Sequence, residues 1–413
     1  MGRLGNPQNR LKVIHVVGTS GKGSTAYLLS ILLRSHRLTV GLNVKPHVTD
    51  IRERFQINNS FISEQEFVRR VNSLLPIYEE MDGSKNGPPS YYEMTVALAF
   101  LTFLDHNVDY SIIETGMGGQ YDATNIISNP NKLVLYTKIG FDHVKFLGNT
   151  LSKIAFEKAR VIKKNNHTIA IWQGPRVRKV VEDIAKEESA TLNFIQPKIH
   201  IKNIHVTPVS TFFDFSYNGY DLKNVELGLH GKHQAENATL ALAGLVYLSK
   251  RDGFILHEEK IRDALKRAHF AARCEKIVIG NKTVVVDGAH NPQKMRALVD
   301  DIQKMFPGKK FTFLIGFKEG KDSRNMLKIL LPFAKHIVVT DFFTDEQDWR
   351  IRSDTPQKLG KILVSLNFKN FTAVPDPQKA LKYLFVHTQS PYVITGSLYL
   401  IGKIYKDLQA MKK

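Results

Sequence analysis

The chain has 413 residues, with 58 Lys and Arg against 39 Asp and Glu, a formal net charge of +19, 43% hydrophobic and 23% charged residues. This balance predicts a globular protein of two domains, with three as the outer bound. A run of ~18 apolar residues, the length a transmembrane helix needs, is absent. The start, Met1-Gly2-Arg3-Leu4-Gly5-Asn6-Pro7, lacks the apolar core of a signal peptide, so no leader is expected. A single cysteine, Cys274, excludes an internal disulfide framework and fits a reducing cytoplasm. The basic residues are spread along the whole chain. Their densest groups, Lys158 to Lys164 and Lys309-Lys310, are not interleaved with stacking aromatics. Diffuse basicity of this kind predicts a solvated surface that attracts anionic substrates, with no nucleic-acid or membrane partner.

The first predicted strand, Val13-Ile14-His15-Val16-Val17, breaks into Gly18-Thr19-Ser20-Gly21-Lys22-Gly23-Ser24-Thr25 and then into an apolar helix start, Ala26 to Leu33. Strand, glycine-rich loop and helix make a phosphate cradle: glycines let backbone N–H groups approach phosphate oxygens, and the helix N-terminus adds partial positive charge. Lys22 would neutralise terminal phosphates, and the Ser24 or Thr25 hydroxyl would reach Mg²⁺. Gly23 between Lys22 and Ser24 departs from the common G-x-x-x-x-G-K-[ST] spacing. A nucleoside triphosphate is the expected ligand.

A second strand is expected over Thr39–Val44, followed by the polar loop Lys45 to Arg54. Ser63-Glu64-Gln65-Glu66 has the pattern of a capping box for a helix to about Ile77, and residues 81–90 have turn and linker chemistry. A helix from Tyr91 to about Asp105 leads to a strand, Tyr110–Glu114, and to a second three-glycine loop, Gly116 to Asn125. Strand Leu133–Tyr136 ends at Gly140-Phe141-Asp142-His143. Polar groups thus gather past the carboxyl ends of strands, the edge where open α/β sheets bind ligands. Glu114, Asp142 and His143 have the character of metal ligands or water-positioning groups. The plainer readings, a solvated strand end for Glu114 and an idle loop histidine for His143, stay open.

A strand–helix–strand pattern runs from Thr168 to Phe194, and residues 199–229 read as an antiparallel hairpin appended to the sheet. Gly231-Lys232-His233-Gln234-Ala235-Glu236-Asn237 opens an Ala/Leu-rich helix, and a charged helix, Glu258 to Arg267, closes the first domain. The second domain begins near Ala271. Its strands, Thr283–Asp287, Phe311–Ile315, His336–Thr340 and Tyr392–Thr395, again end in polar turns: Gly288-Ala289-His290-Asn291-Pro292, Gly316 to Asp322, and Gly396-Ser397-Leu398-Tyr399. Two α/β domains that both offer strand-end loops predict a cleft enzyme.

These loops together resemble the Mur ligase superfamily and, within it, the folylpolyglutamate synthase / dihydrofolate synthase family, from Val13 to about Leu408. The phosphate loop is similar to G-T-N-G-K-G-S with Ser20 for Asn, and Glu114 to Asn125 to E-x-G-x-G-G-x-x-D-A-T-N. Ile139 to His143 is similar to I-G-x-D-H, Phe156 to Ile162 to E-K-A-x-I-I, and His233 to Asn237 to H-Q-x-x-N. Asp287 to Pro292 and Gly396 to Tyr399 match D-G-A-H-N-P and G-S-L-Y. The resemblance implies an N-terminal P-loop Mur-ligase-like ATPase domain, 1–270, and a smaller C-terminal Rossmann-like α/β domain, 271–413. It implies ATP-dependent amide ligation: a folate or dihydropteroate carboxylate takes the γ-phosphoryl group, and the amine of L-glutamate displaces phosphate.

Carried over by position, the resemblance implies that Gly18 to Thr25, Asn237, Arg273 and Asp287 hold the nucleotide. Lys22 and Ser24 would contact phosphates and a first Mg²⁺, Glu114 would bind that metal, and His143 a second one. Lys158 aligns with the lysine that the family carbamylates; by composition alone it reads as a surface lysine of a basic helix. Arg54, His290 and Ser397 fall where glutamate is received, and the catalytic set is Lys22, His143, Lys158, Asp287 and His290. Lys45 stands where the family has a serine that helps the first Mg²⁺. A protonated lysine cannot ligate a metal, so either water replaces the serine or Lys45 contacts phosphate or substrate. Ala271-Ala272 stands where the family favours Pro-Gly. A monomer acting in the cytoplasm is implied. The alternatives are a Mur-type ligase acting on a non-folate carboxylate and a nucleotide-regulated nucleic-acid-binding protein.

Overall fold

The computed structural model describes residues 1–85, 87–345 and 350–412; Asn86, in the expected linker, lies outside them. The first sheet comprises β1 (Val13–Val17), β2 (Val40–Asn43), the short β3 (Gln56–Ile57) and β4 (Ser60–Phe61), β5 (Tyr110–Glu114), β6 (Leu133–Tyr136), β7 (His167–Ile171) and β8 (Thr191–Ile195). Their lateral order is β4-β3-β2-β5-β1-β6-β7-β8. The six strands from β2 to β8 in that order run parallel, and β3 and β4 add an antiparallel edge. Every residue of β1 and β5 is buried, as a parallel strand covered on both faces requires.

The helices between these strands are α1 (Lys22–Ser35), α2 (Glu64–Asp82), α3 (Tyr91–Asp105), α4 (Val144–Leu147), α5 (Leu151–Ala159) and α6 (Pro175–Glu187). The Ser63 side chain accepts from the Glu66 N–H as expected, but α2 continues past Ile77 to Asp82 with Pro76 inside it. One face of the sheet is covered by α3 and by α5 with α6. The other face carries α1, α7 (Lys232–Asp252) and α8 (Glu258–Lys266).

Residues 199–229 are not appended to the main sheet. They form their own antiparallel sheet, β9 (Ile201–Val206), β10 (Thr211–Tyr217) and β11 (Tyr220–Leu227), in the order β11-β10-β9. The reason lies in the alternation of β10: Phe213, Phe215 and Tyr217 point one way into the core shared with α7, while the other face stays half-exposed. An apolar face is satisfied by packing on a helix, which edge pairing would not have achieved.

The second large sheet has the order β12 (Glu275–Ile279), β13 (Lys282–Asp287), β19 (Tyr392–Thr395), β14 (Phe311–Ile315), β15 (Ala334–Val339) and β18 (Phe371–Ala373), parallel except for β12. The small hairpin of β16 (Phe343–Thr344) and β17 (Ile351–Arg352) lies outside it. Helices α9 (Pro292–Met305), α10 (Ser323–Leu330) and α11 (Pro356–Ser365) cover one face; α12 (Pro377–His387) and α13 (Leu398–Ala410) cover the other. The protein is thus mixed α/β with two parallel-type sheets. Among the described residues no helix is long and apolar enough to cross a membrane.

Candidate active site

The carboxyl end of β1 carries the phosphate loop. Gly18 has φ +148° and Gly21 has φ +90°, and a Cβ would drive the first into Thr137 and the second into the Asn237 carboxamide. Glycine is required at both for conformation and for space. Thr19 N–H donates to the Lys138 carbonyl (2.9 Å) and Thr19 Oγ1 to the Gly140 carbonyl (3.1 Å), tying the loop to the exit of β6. Among the described residues no side chain caps the start of α1, and the hydroxyls of Ser20, Thr25 and Thr137 are buried without a hydrogen-bond partner. Uncapped N–H groups and orphaned hydroxyls are what phosphate oxygens would satisfy. Ser24 is buried in the first turn of α1, and Asn237 Nδ2 donates to Gln234 Oε1 (3.0 Å). Lys22 Nζ lies 3.7 Å from Glu114 Oε1, and Glu114 Oε2 accepts the Lys45 N–H at 3.0 Å.

Lys45 follows β2. Its ammonium stands 4.4 Å from the centre of the Tyr92 ring, while the Arg54 guanidinium stands 5.4 Å from Tyr91. Arg54 Nε donates to His47 Nδ1 (3.1 Å). The first two residues of α3 therefore make an aromatic wall for both cations, a role the sequence pattern did not disclose. Burial brings Lys45 down to about 8, with Asp122 and Glu114 opposing it and Lys22 adding to it. Asp122 accepts from Tyr92 OH (3.3 Å), Met117 N–H (2.8 Å) and Thr124 Oγ1 (2.6 Å), and His15 Nε2 pairs with Thr124 Oγ1 (2.8 Å).

Lys158 is not a surface lysine. It lies in the last turn of α5 and is buried, and Gly119 of the second glycine loop presses against the backbone at Glu157 and Lys158. Burial and then Lys22 bring its amine down to about 7.

The exit of β6 meets the second domain. Asp142 accepts from Lys321 Nζ at 2.6 Å, with the Nε2 atoms of His143 and His290 each 3.9 Å away. Burial alone would raise Asp142; Lys321, the two histidines and Lys294 hold it well below the usual carboxylate range. Glu114, Asp142 and His143 are not gathered into one ligand set, because β1 lies between β5 and β6 and the phosphate loop separates their ends. Among the described residues no group of three or more His, Cys, Asp or Glu side chains could hold a metal by itself. His143 is left-handed (φ +50°), and burial brings its imidazole down to about 4.

From the facing domain, Asp287 accepts the Cys274 and Ala289 N–H groups (both 2.8 Å); burial raises its carboxyl while Arg273 opposes. Arg273 Nη1 donates to the Ala272 carbonyl (3.1 Å). Ala272 itself has φ +56°, so the chain keeps the left-handed turn that a glycine adopts without strain. His290 Nδ1 faces the Gly288 carbonyl (2.7 Å) and Nε2 faces Lys294 Nζ (3.1 Å); burial and Lys294 hold the ring well below its ordinary value. Lys294 comes down to about 8 through burial, with Lys22, Arg273 and Lys321 adding to it. Neither Lys294 nor Lys321 was singled out by the sequence, although Lys321 lies in one of the strand-end loops.

Ser397 caps α13, its Oγ accepting the Tyr399 N–H (3.1 Å). A cavity of ≈ 160 Å³ between the loop after β2 and α13 is lined by His47, Thr49, Leu398, Tyr399 and Lys403 among others. His47, the partner of Arg54, and Leu398 and Tyr399, which follow Ser397, thus line one cavity, whereas His290 stands at the Asp142 end.

The family profile described as "Mur ligase middle domain" matches residues 16–245, and that described as "Dihydrofolate synthetase, C-terminal domain" matches residues 271–407. The dihydrofolate synthase/folylpolyglutamate synthase of Bacillus subtilis is 31% identical, covering 99% of this chain and 93% of its own. The crystal structure of folylpolyglutamate synthase from Thermotoga maritima superposes with a TM-score of 0.84 at 30% identity, over 99% of this chain and 91% of that one. The Mycobacterium tuberculosis folylpolyglutamate synthase complexed with ADP gives a TM-score of 0.88 at 25% identity, over 99% and 92%. With phosphate loop, second glycine loop and facing D-G-A-H-N-P turn in one cleft, the chain belongs to the folylpolyglutamate synthase / dihydrofolate synthase family of ATP-dependent ligases in the Mur ligase superfamily.

Proposed function

We propose that the chain adds L-glutamate to a folate or dihydropteroate carboxylate, driven by ATP through an acyl phosphate. The observation that carries this reading is the placement of cations on both banks of the phosphate loop: Lys22, Lys45 and Lys158 on one, Lys294 and Lys321 on the other, joined through Asp142. Bringing a carboxylate against a triphosphate requires such fixed positive charge. Bound Mg²⁺ would supply further charge neutralisation between the two anions.

In this reading Gly18 to Thr25 and Asn237 cradle the phosphates, with Arg273 and Asp287 on the remainder of the nucleotide. Ser24 and Glu114 would hold one Mg²⁺ and His143 a second. The buried Ser24 of the first turn of α1 and a neutral imidazole are suitable ligands for that role. A lysine brought down to about 7 presents the neutral amine that reacts with CO₂, which favours carbamylation of Lys158. Lys45 and Arg54 would meet substrate carboxylates, with His290 and Ser397 receiving glutamate. Closure of domain 271–413 on domain 1–270 would exclude water from the acyl phosphate until the amine attacks and phosphate leaves. A monomer acting in the cytoplasm completes the proposal.

The test is phosphate release from Mg-ATP with glutamate and either dihydropteroate, tetrahydrofolate or neither, with products weighed by mass spectrometry. Release that needs glutamate and one pterin, with a product one glutamate heavier, is expected. Phosphate release without either pterin dependence would overturn the acceptor assignment and direct attention to another carboxylate.

A further inference from the structure

Asp301, on α9 of the second domain, is buried against the first turn of α7 in the other domain. Its two carboxyl oxygens crowd the α-carbon of Gly231, the residue that starts α7, so a side chain there would collide with them. Among the described residues Oδ2 accepts no hydrogen bond, and His233 Nδ1 stands 3.5 Å from it. A buried carboxyl oxygen without a hydrogen bond is costly and calls for an explanation. The rest of its surroundings is mixed: Lys304 and Asp300 on α9, Asp287 at the end of β13, and the buried Cys274. His230, its ring facing the backbone at Pro208 and Val209, sits one residue before Gly231.

α7 is the helix that presents Gln234 and Asn237. Asn237 lies against Gly21 in the middle of the phosphate loop and is itself held by Gln234. Among the described residues no side chain caps α7; the Gly231 N–H donates to Thr211 Oγ1 (2.9 Å), and the Gln234 and Ala235 N–H groups donate to the Gly231 carbonyl. The first turn, and with it the azimuth at which Asn237 meets Gly21, is therefore set by what packs on Gly231 and His233. α9 is also the helix that follows Asp287 and His290, so Asp301 connects two segments that face the nucleotide.

We infer that Asp301 is a positioning residue: with His233 it forms a carboxyl–imidazole contact across the domain boundary that fixes the first turn of α7 and thereby the grip of Asn237 on the phosphate loop. The contact exists only when the domains are together, so nucleotide affinity is coupled to domain closure. Burial raises the Asp301 carboxyl to about 8, which supports a neutral carboxyl at this place and makes Asn its isostere. The inference rests on the nucleotide assignment above but not on the identity of the acceptor.

The experiment is ADP binding by calorimetry on the full chain, in wild type, Asp301→Leu, Asp301→Asn and His233→Gln, with thermal unfolding of each variant in parallel. Asp301→Leu is expected to weaken ADP about five- to tenfold, a coupling of ordinary size, with kcat at saturating ATP changed less. Asp301→Asn should restore affinity to within about twofold, which a purely steric role would not demand. Equal ADP affinity in wild type and Asp301→Leu overturns the inference alone; if Asp301→Leu does not fold, equal affinity in His233→Gln does so. Absence of ADP binding to wild type overturns the nucleotide assignment together with it.

Discussion

The contact between Asp142 and Lys321 spans 179 residues of sequence and closes the cleft directly beside the phosphate loop. Truncating Lys321 to Ala leaves Asp142, whose side chain is only 9% exposed, facing two imidazoles at 3.9 Å that are held neutral. Loss of one partner from a buried pair costs about 3–5 kcal/mol when nothing replaces it. Lys294 remains close enough to interact with Asp142 and absorbs part of that, leaving about 2 kcal/mol, or roughly thirtyfold. Because the pair joins the two domains, the loss should appear in closure and hence in kcat/KM for phosphate release. A cycle of Lys321→Ala, Asp142→Asn and the double variant isolates the term: the double variant should lose far less than the product of the single losses. If the two losses multiply, the residues act independently and the closure argument fails. The sign in pH is also fixed. Asp142 is depressed, so its contribution is present above the ordinary carboxylate value of about 4 and disappears only as pH falls through the lower folded value. From pH 5 upward this pair should add no pH dependence.

Three other outcomes are expected. Gly21→Ala forces a side chain into φ +90° and into Asn237, and should weaken ADP at least about tenfold while lowering the unfolding temperature by a few degrees; unchanged affinity would remove the cradle argument. Lys158→Ala should abolish turnover while ADP binding persists, with partial rescue by acetate, and wild-type turnover in that variant would sink the carbamate assignment. His167, stacked at 3.9 Å on Tyr247, is brought down to about 4 by burial and then Arg251. A depressed histidine contributes stability above its unfolded value of about 6.5 and loses it as pH falls from there to the folded value. After discounting for its partial exposure this amounts to about 1 kcal/mol. His167→Phe should flatten the decline in guanidinium midpoint between pH 7.5 and 5, and an identical decline would refute the assignment.

The strand-end loops were legible because glycine and polar punctuation after a β-rich run has one economical meaning, and the central strands lie where continuous apolar runs of strand length put them. What escaped depended on partners distant in sequence. Lys158 looks like a surface residue until α5 is placed beneath Gly119. Lys321 and Asp301 acquire their meaning only when two domains meet, and no local pattern marks a residue for a contact with the other domain. The edge strands β12 and β18 were missed for a related reason: each pairs on one side only, so its burial signal is weak. The sheet of β9 to β11 shows the opposite failure, in which the alternation was read correctly but its packing partner, α7, could not be.

The cleft is also built against its own stability. Lys45, Lys158 and Lys294 are each brought down by burial first, and Lys22 acts on all three in the same direction. Cations held this close are expensive in the absence of an anion and become favourable when a polyphosphate lies among them. Lys294→Met separates the two effects, since it removes a buried charge while keeping the volume of the stem. The ligand-free protein should become more stable by about 1 kcal/mol, and ADP should bind about tenfold more weakly. Saturating ADP should then raise the unfolding midpoint less in the variant than in wild type, because the stabilisation by a ligand scales with the logarithm of its concentration over Kd. Weakening of both stability and affinity would mean that Lys294 is held by satisfied local contacts, and that the cleft carries no reserve of positive charge for the nucleotide to relieve.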